Sequence, residues 1–173
     1  DKLYVQLENW TDLADNLQQQ LGLEGDMERV GELKLRLAGL RETRLDEVGA
    51  AIEIYREIIE VDPENQPAVE ALERIIEKEE FRREVALILE PIYRTLGSWE
   101  KLVGVFEIQI AEEETIARKV DLLHEIAQLY ETSGDEPEKA FRTLGRAIDE
   151  DPADERTQEE LERTRTFMKR YYL

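Results

Sequence analysis

The chain has 173 residues, of which 42 are acidic and 23 are basic, so its formal net charge is −19 at pH 7. Such a charge argues strongly against binding to a nucleic-acid backbone or to an anionic membrane surface, because both require a positively charged face. Cysteine is absent, which excludes disulfides, thiolate metal sites and a cysteine nucleophile, and no apolar run approaches the roughly 18 residues of a membrane-inserted helix.

The apolar residues of the first half recur at spacings of three and four, which predicts consecutive amphipathic helices. After a helical tail in residues 1–7, the predicted helices begin near Trp10, Met27, Val48, Asn65 and Phe81. Asp46 is expected to cap the third of these helices, and Asp62-Pro63 to end it, since the residue before a proline avoids the helical region. Residues 77–83 contain no turn residue, so the last two helices are either separate or one bent helix.

The second half follows the same plan. Gly97 is expected to act as the C-cap of the helix that begins near Phe81, and Pro91 to kink that helix or delay its start. The later helices are predicted over residues 99–112, 115–132, 137–150 and from about 154 onward. No segment alternates apolar and polar residues as a half-buried strand does. The predicted fold class is therefore all-α, with about nine antiparallel helices.

The two halves are alike because the chain contains an internal duplication. When the sequence is shifted by 89 positions, residues 10–74 align with residues 99–163 without a gap, and 20 of the 65 positions are identical. The identical residues are mostly core and turn types, among them Trp10/Trp99, Ala38/Ala127, Ala51/Ala140 and Asp62-Pro63/Asp151-Pro152. We therefore expect one helical-repeat domain over residues 1–173, with copies at 1–84 and 90–173, cut from a longer array.

One hairpin of the second copy resembles a known family. The pattern Leu123-x-x-Ile126-Ala127-x-x-Tyr130 is similar to the first helix of the tetratricopeptide repeat, and the family's second-helix spacing is followed by Ala140, Leu144, Ala147-Ile148 and Asp151-Pro152. In that repeat of about 34 residues, small side chains let paired helices approach closely. The first copy departs from the pattern, with Lys34 and Arg41 in place of the bulky and the aromatic residue.

The resemblance implies an α-solenoid whose concave groove, lined by the first helix of each hairpin, binds a protein or peptide. Carried onto the well-matched hairpin, the groove-facing, partner-binding residues are Asp121, His124, Gln128 and Glu131. The equivalent positions in the first copy are Glu32, Leu35, Gly39 and Glu42.

No residue pattern predicts catalysis, a cofactor or a metal ion. His124 is the only histidine, and a lone histidine without cysteine neighbours cannot build a zinc site. The acidic run from Asp149 to Glu155 lacks the alternating ligands and central glycine of a calcium loop, so a solvated helix end is favoured. Trp10 and Trp99 lie in phase with the apolar stripes of their helices, which favours packing over a role as partner-binding anchors.

The sequence therefore predicts a non-catalytic protein-interaction scaffold. Residues 46–80 hold twelve acidic and three basic residues, and residues 131–162 hold twelve and four. These acidic stretches are typical of the solvated surface of a helical array; the alternative is an acidic ridge that meets a partner with basic segments, or the basic residues 163–173 of another copy. Two alternatives stay open: a structural spacer or self-associating segment of a large assembly, and the regulatory arm of an enzyme whose catalytic domain lies elsewhere.

Overall fold

The computed structural model describes residues 9–171, which contain nine α-helices, one short 3-10 helix and no strand. The helices are α1 (Trp10–Leu23), α2 (Met27–Thr43), α3 (Val48–Val61), α4 (Gln66–Ile75), α5 (Arg82–Leu96), α6 (Trp99–Glu112), α7 (Ile116–Thr132), α8 (Pro137–Glu150) and α9 (Glu155–Tyr171). The predicted all-α class is confirmed. The helical tail predicted in residues 1–7 lies outside the described residues.

The chain divides into two compact units, the first ending at Leu89 and the second beginning at Glu90, so that the division falls within α5. In the first unit α1 packs on α2, α2 on α3 and α3 on α4. In the second unit α6 packs on α7, α7 on α8 and α8 on α9. Short turns join these neighbours, which therefore run antiparallel. Each unit has the stacking order of an α-solenoid.

Helices α4 and α5 are separate, which answers the question that the sequence left open. Helix α4 ends at Ile75, and the 3-10 turn Glu79–Phe81 precedes α5. The Arg82 guanidinium donates from Nε to the Ile76 carbonyl oxygen at 3.3 Å and from Nη2 to that of Glu77 at 3.4 Å. These bonds satisfy carbonyl groups left without helical partners just beyond α4.

The first unit contains a core between α1 and α2, and the second unit a core between α7 and α8. In the first unit the buried residues are Leu13, Ala14, Leu17, Leu37 and Leu40. In the second unit Ala127, Ala140 and Leu144 pack together, with Tyr130 and Leu161 against them. Ala127 and Ala140 are 2% and 0% exposed, and the equivalent Ala38 and Ala51 are both fully buried. These small side chains let neighbouring helices approach closely.

The turn after α2 and the turn after α7 have the same geometry. Asp46 and Asp135, which are 89 positions apart, both adopt left-handed backbone conformations, with φ of 56° and 51°. The same pair of backbone hydrogen bonds closes each turn: Leu45 N to Leu40 O and Glu47 N to Arg41 O in the first, Gly134 N to Leu129 O and Glu136 N to Tyr130 O in the second. Aspartate tolerates this conformation better than most residues.

The prediction that Asp46 caps α3 is wrong. The N-cap position is occupied by Glu47, whose side chain makes no capping bond, because Asp46 serves the preceding turn. By contrast, Gly97 ends α5 as predicted, with φ of 65° and a hydrogen bond from Ser98 N to Tyr93 O at 2.9 Å. Helix α5 continues through Pro91.

Both tryptophans are half-buried and pack within their own units. The Arg44 guanidinium lies 4.8 Å from the centre of the Trp10 ring. Trp99 contacts Tyr130 edge to face, with ring centroids 6.1 Å apart. A methyl group at Gly134 would lie 3.0 Å from the Trp99 ring, so the lack of a side chain at this position leaves room for the ring. These contacts agree with the packing role predicted for both tryptophans.

Replacing Ala127 with leucine tests the close approach of α7 and α8. We expect Ala127→Leu to overpack this contact and lower the free energy of unfolding by roughly 1–3 kcal/mol, measured by chemical denaturation. Ala117→Leu is the matched control, since Ala117 is exposed on the same helix. Equal stability of the two variants would contradict the packing described for this hairpin.

Candidate partner-binding surfaces

Helix α9 covers His124, one of the four predicted groove residues. The His124 side chain is 2% exposed. Its Nδ1 atom lies 2.7 Å from Glu160 Oε2, and its Nε2 atom lies 2.8 Å from Thr157 Oγ1. Both partners belong to α9, which begins at Glu155. In this structure His124 therefore attaches α9 to α7 and cannot contact a partner directly.

Three polar side chains surround the buried His124 ring. Besides Glu160 and Thr157, Asp154 lies beside it, with Oδ2 3.5 Å from Nε2. The Thr157 hydroxyl donates its proton to Asp154 Oδ2. Two carboxylates and one hydroxyl, from α9 and the turn before it, therefore enclose the ring.

The same bonds shift the pKa values of the two carboxyl groups. The Thr157 hydroxyl, together with its backbone N–H and His124, holds the pKa of Asp154 below its usual value despite some desolvation. For Glu160, burial alone would raise the pKa, but the hydrogen bond and charge of His124 and the nearby Arg156 outweigh burial and lower it. Both carboxylates are therefore ionised at neutral pH.

Glu131, a second predicted groove residue, is also engaged by α9. Arg163 Nη2 lies 2.7 Å from Glu131 Oε2, and the Thr164 hydroxyl donates to Oε1 at 2.7 Å. The first unit has an equivalent pair 89 positions earlier, in which Arg74 Nη2 lies 3.4 Å from Glu42 Oε2. The ion pair therefore recurs in both units and has a structural role in each.

Asp121 and Gln128, the other two predicted residues, are exposed on α7. They are seven positions apart and so lie on one face of the helix. Glu125 lies between them in sequence and pairs with Arg94 at 2.8 Å. The structure thus separates the four predicted residues into two that contact α9 and two that face solvent. A partner-binding role for Asp121 and Gln128 stays a prediction.

The first unit contains an open pocket of about 320 Å³ between α2, α3 and the start of α4, which we call the α2/α3 pocket. Its lining comprises Met27, Glu28, Val30, Gly31, Glu32, Lys34, Leu35, Glu57, Ile58, Val61, Asp62 and Asn65. Two of the four first-copy positions that are equivalent to the predicted groove residues, Glu32 and Leu35, therefore line this pocket. Gly39 and Glu42 do not line it; the Glu42 carboxylate instead accepts a hydrogen bond from the Tyr55 hydroxyl at 2.9 Å.

The α2/α3 pocket combines an apolar floor with an acidic rim. Met27 and Val61 are 68% and 70% exposed. Four carboxylates line the pocket, together with one ammonium group, that of Lys34. This ammonium lies 2.8 Å from the Glu57 carboxylate. The pocket therefore keeps a net negative charge beside apolar surface that faces water.

The second unit differs at the equivalent positions. Val30 and Val61 correspond to Lys119 and Glu150, whose charged groups form an ion pair at 3.6 Å. Leu35 corresponds to His124, which binds α9. Because an ion pair replaces two apolar side chains, the second unit has no apolar floor at these positions. The sequence therefore does contain a signal for the α2/α3 pocket, namely apolar residues in the first copy at positions where the second copy has charged ones.

No sequence model of a known protein family matches this chain, and the curated proteins include no match to it. In the part of the chain that the structure describes, no group of three or more histidine, cysteine, aspartate or glutamate side chains is arranged to hold a metal ion. None of the helices described between residues 9 and 171 is long and apolar enough to cross a membrane.

The lowered pKa of Glu160 predicts a pH dependence for the attachment of α9. A carboxyl group with a lowered folded-state pKa stabilises the fold above its unfolded pKa of about 4.3, and this contribution is lost as the pH falls through the lower folded value. We expect Glu160→Gln to lower the thermal midpoint at pH 7, and the difference from the parent chain to shrink below about pH 4.

Glu159→Gln is the matched control for this measurement, because Glu159 is exposed on the same helix. It should melt within about 1 °C of the parent chain at each pH, as surface substitutions usually do. A difference for Glu160→Gln that stays constant from pH 7 to pH 3 would contradict the His124–Glu160 interaction.

Proposed function

We propose that this chain is a non-catalytic protein-interaction module built from duplicated, tetratricopeptide-like helical hairpins, and that a partner binds at the α2/α3 pocket. One observation carries the proposal: a preformed concavity on regular helices that combines exposed apolar side chains with carboxylates. Sites of this kind, an apolar surface with a few polar groups that fix orientation, are typical of ligand-binding clefts.

The exposed side chains supply the driving force for binding. Burying a methionine or valine side chain that was exposed gains about 1.5–3 kcal/mol. Met27 and Val61 are both more than half exposed, so a partner that covers them gains part of this energy from each. Both side chains belong to helices, as the first residue of α2 and the last of α3, so their backbone has a regular conformation before a partner binds.

The recurrence of structural features supports the duplicated, repeat-like character of the scaffold. The turns at Asp46 and Asp135 share their hydrogen bonds, and the pairs Glu42–Arg74 and Glu131–Arg163 occupy equivalent positions. The same scaffold therefore presents different side chains in its two copies. Such divergence on a repeated frame is how repeat proteins build binding surfaces.

A structural, self-associating role is a second candidate, favoured by the end of α9. Phe167 is 45% exposed there, and the exposed Lys169 follows two positions later. An exposed aromatic side chain beside basic groups suits a contact with an acidic surface. This role predicts a sedimentation coefficient that rises with concentration, and it needs no foreign partner.

Glu32→Lys and Asp121→Lys distinguish binding at the first unit from binding at the second. The two residues are equivalent in the repeat, and both are exposed. The partner is first captured on the immobilised parent chain and purified. We expect it to bind the Glu32→Lys variant about tenfold more weakly than the parent chain, which corresponds to about 1.4 kcal/mol. Titration calorimetry measures both dissociation constants.

Asp121→Lys should leave the affinity within about twofold, since rim charges far from a contact contribute little. The opposite result, a loss with Asp121→Lys alone, would place the partner on α7 and refute binding at the α2/α3 pocket. A chain that captures no protein and associates only with itself would favour the structural role.

A further inference from the structure

We infer that the α2/α3 pocket binds a segment of another protein in which an aliphatic side chain is flanked by basic residues. The inference rests on the proposed function and adds the chemistry of the partner. Three observations support it: the size and lining of the pocket, two carboxylates in it that have no ion-pair partner among the described residues, and the net charge of the whole chain.

The floor of the pocket suits an aliphatic side chain. Ile58 forms its buried part, Val30 and Leu35 are half-buried, and Met27 and Val61 stand exposed at its edge. A closed cavity of about 150 Å³ accommodates benzene, so an open pocket of about 320 Å³ has room for one or two aliphatic side chains. Burial there removes apolar surface from water on both partners.

The rim selects basic flanking residues. Glu28 and Glu32 are exposed and lie four positions apart on α2, so both carboxylates lie on one side of the helix. Within residues 9–171, neither carboxylate has an ion-pair partner. Lysine or arginine side chains on either side of the aliphatic anchor would meet these charges, whereas an acidic segment would be repelled.

The charge of the chain favours a foreign partner over a second copy. Each copy carries a formal charge of −19, so two copies repel one another at long range, while a basic partner is attracted. The basic residues 163–173 are also partly occupied within their own unit. Arg163 pairs with Glu131 at 2.7 Å, and Arg165 lies 3.5 Å from Glu162.

The sequence of the second unit suggests a double substitution that removes the apolar floor of the α2/α3 pocket and keeps the helices. Val30→Lys combined with Val61→Glu places in the first unit the ion pair that Lys119 and Glu150 form at 3.6 Å in the second. Since the equivalent pair exists on the same scaffold, this double variant should fold. Circular dichroism and the thermal midpoint verify that it does.

The test uses three fluorescein-labelled synthetic peptides and measures anisotropy. In the first, two leucines are flanked on each side by arginines; in the second, serines replace the leucines; in the third, glutamates replace the arginines. We expect the leucine–arginine peptide to bind the parent chain at least about tenfold more tightly than either of the others, because only it matches both the floor and the rim. Its affinity should fall as salt rises.

Two variants locate this binding. We expect the Val30→Lys/Val61→Glu chain and a Glu28→Lys/Glu32→Lys chain each to bind the leucine–arginine peptide at least about tenfold more weakly. The matched control is Glu155→Lys/Glu159→Lys, which reverses two exposed carboxylates four positions apart on α9 of the second unit and should leave the affinity within about twofold.

Several results would overturn the inference. If the serine–arginine peptide bound as tightly as the leucine–arginine peptide, the apolar floor would contribute nothing to recognition. If the leucine–glutamate peptide bound as tightly, the carboxylates of the rim would not select basic residues. Tighter binding of a peptide of residues 163–171, with concentration-dependent association of the chain, would identify the occupant as a second copy. If no peptide binds but a captured partner still depends on Glu32, the chemistry inferred here fails while the proposed function stands.

Discussion

Alanines packed between neighbouring helices set the separation on which the rest of this structure depends. Ala127 and Ala140 are in contact in the core of the second unit, and Ala38 and Ala51 are fully buried at the equivalent positions of the first. Close approach brings the larger core side chains into register and fixes the relative position of the helices. The side chains on the outer faces of the helices are therefore held in fixed positions relative to one another.

The two copies use this frame differently. Where the first unit has Val30, Leu35 and Val61, the second has Lys119, His124 and Glu150. In the second unit these polar residues form an ion pair and a buried hydrogen-bond network with α9. There, each of these three side chains has a partner within the second unit itself. In the first unit the same positions leave an apolar, acid-rimmed pocket, and this difference is why we propose that a partner binds the first copy.

The helices could be predicted from the sequence because their spacing and end signals are local. Gly97 and Asp62-Pro63 end their helices through local backbone preferences, whatever the helices pack against. Asp46 was misassigned because its left-handed backbone belongs to the turn before α3. The surface residues depend on tertiary packing. Nothing in the periodicity of α7 reveals that α9 covers His124, or that Met27 stays exposed at the start of α2. The resemblance to tetratricopeptide repeats indicated four groove positions in the second copy, and α9 engages two of them, His124 and Glu131.

Amide hydrogen exchange on the chain, free and saturated with its captured partner, tests most directly whether the first copy is the binding surface. The account predicts that protection rises in residues 27–35 and 61–65, which border the α2/α3 pocket, because a bound segment slows local opening. The equivalent residues 116–124 and 150–154 should exchange at unchanged rates. Protection gained mainly in the second set would contradict the account, since it would place the partner on the second copy, where α9 covers His124.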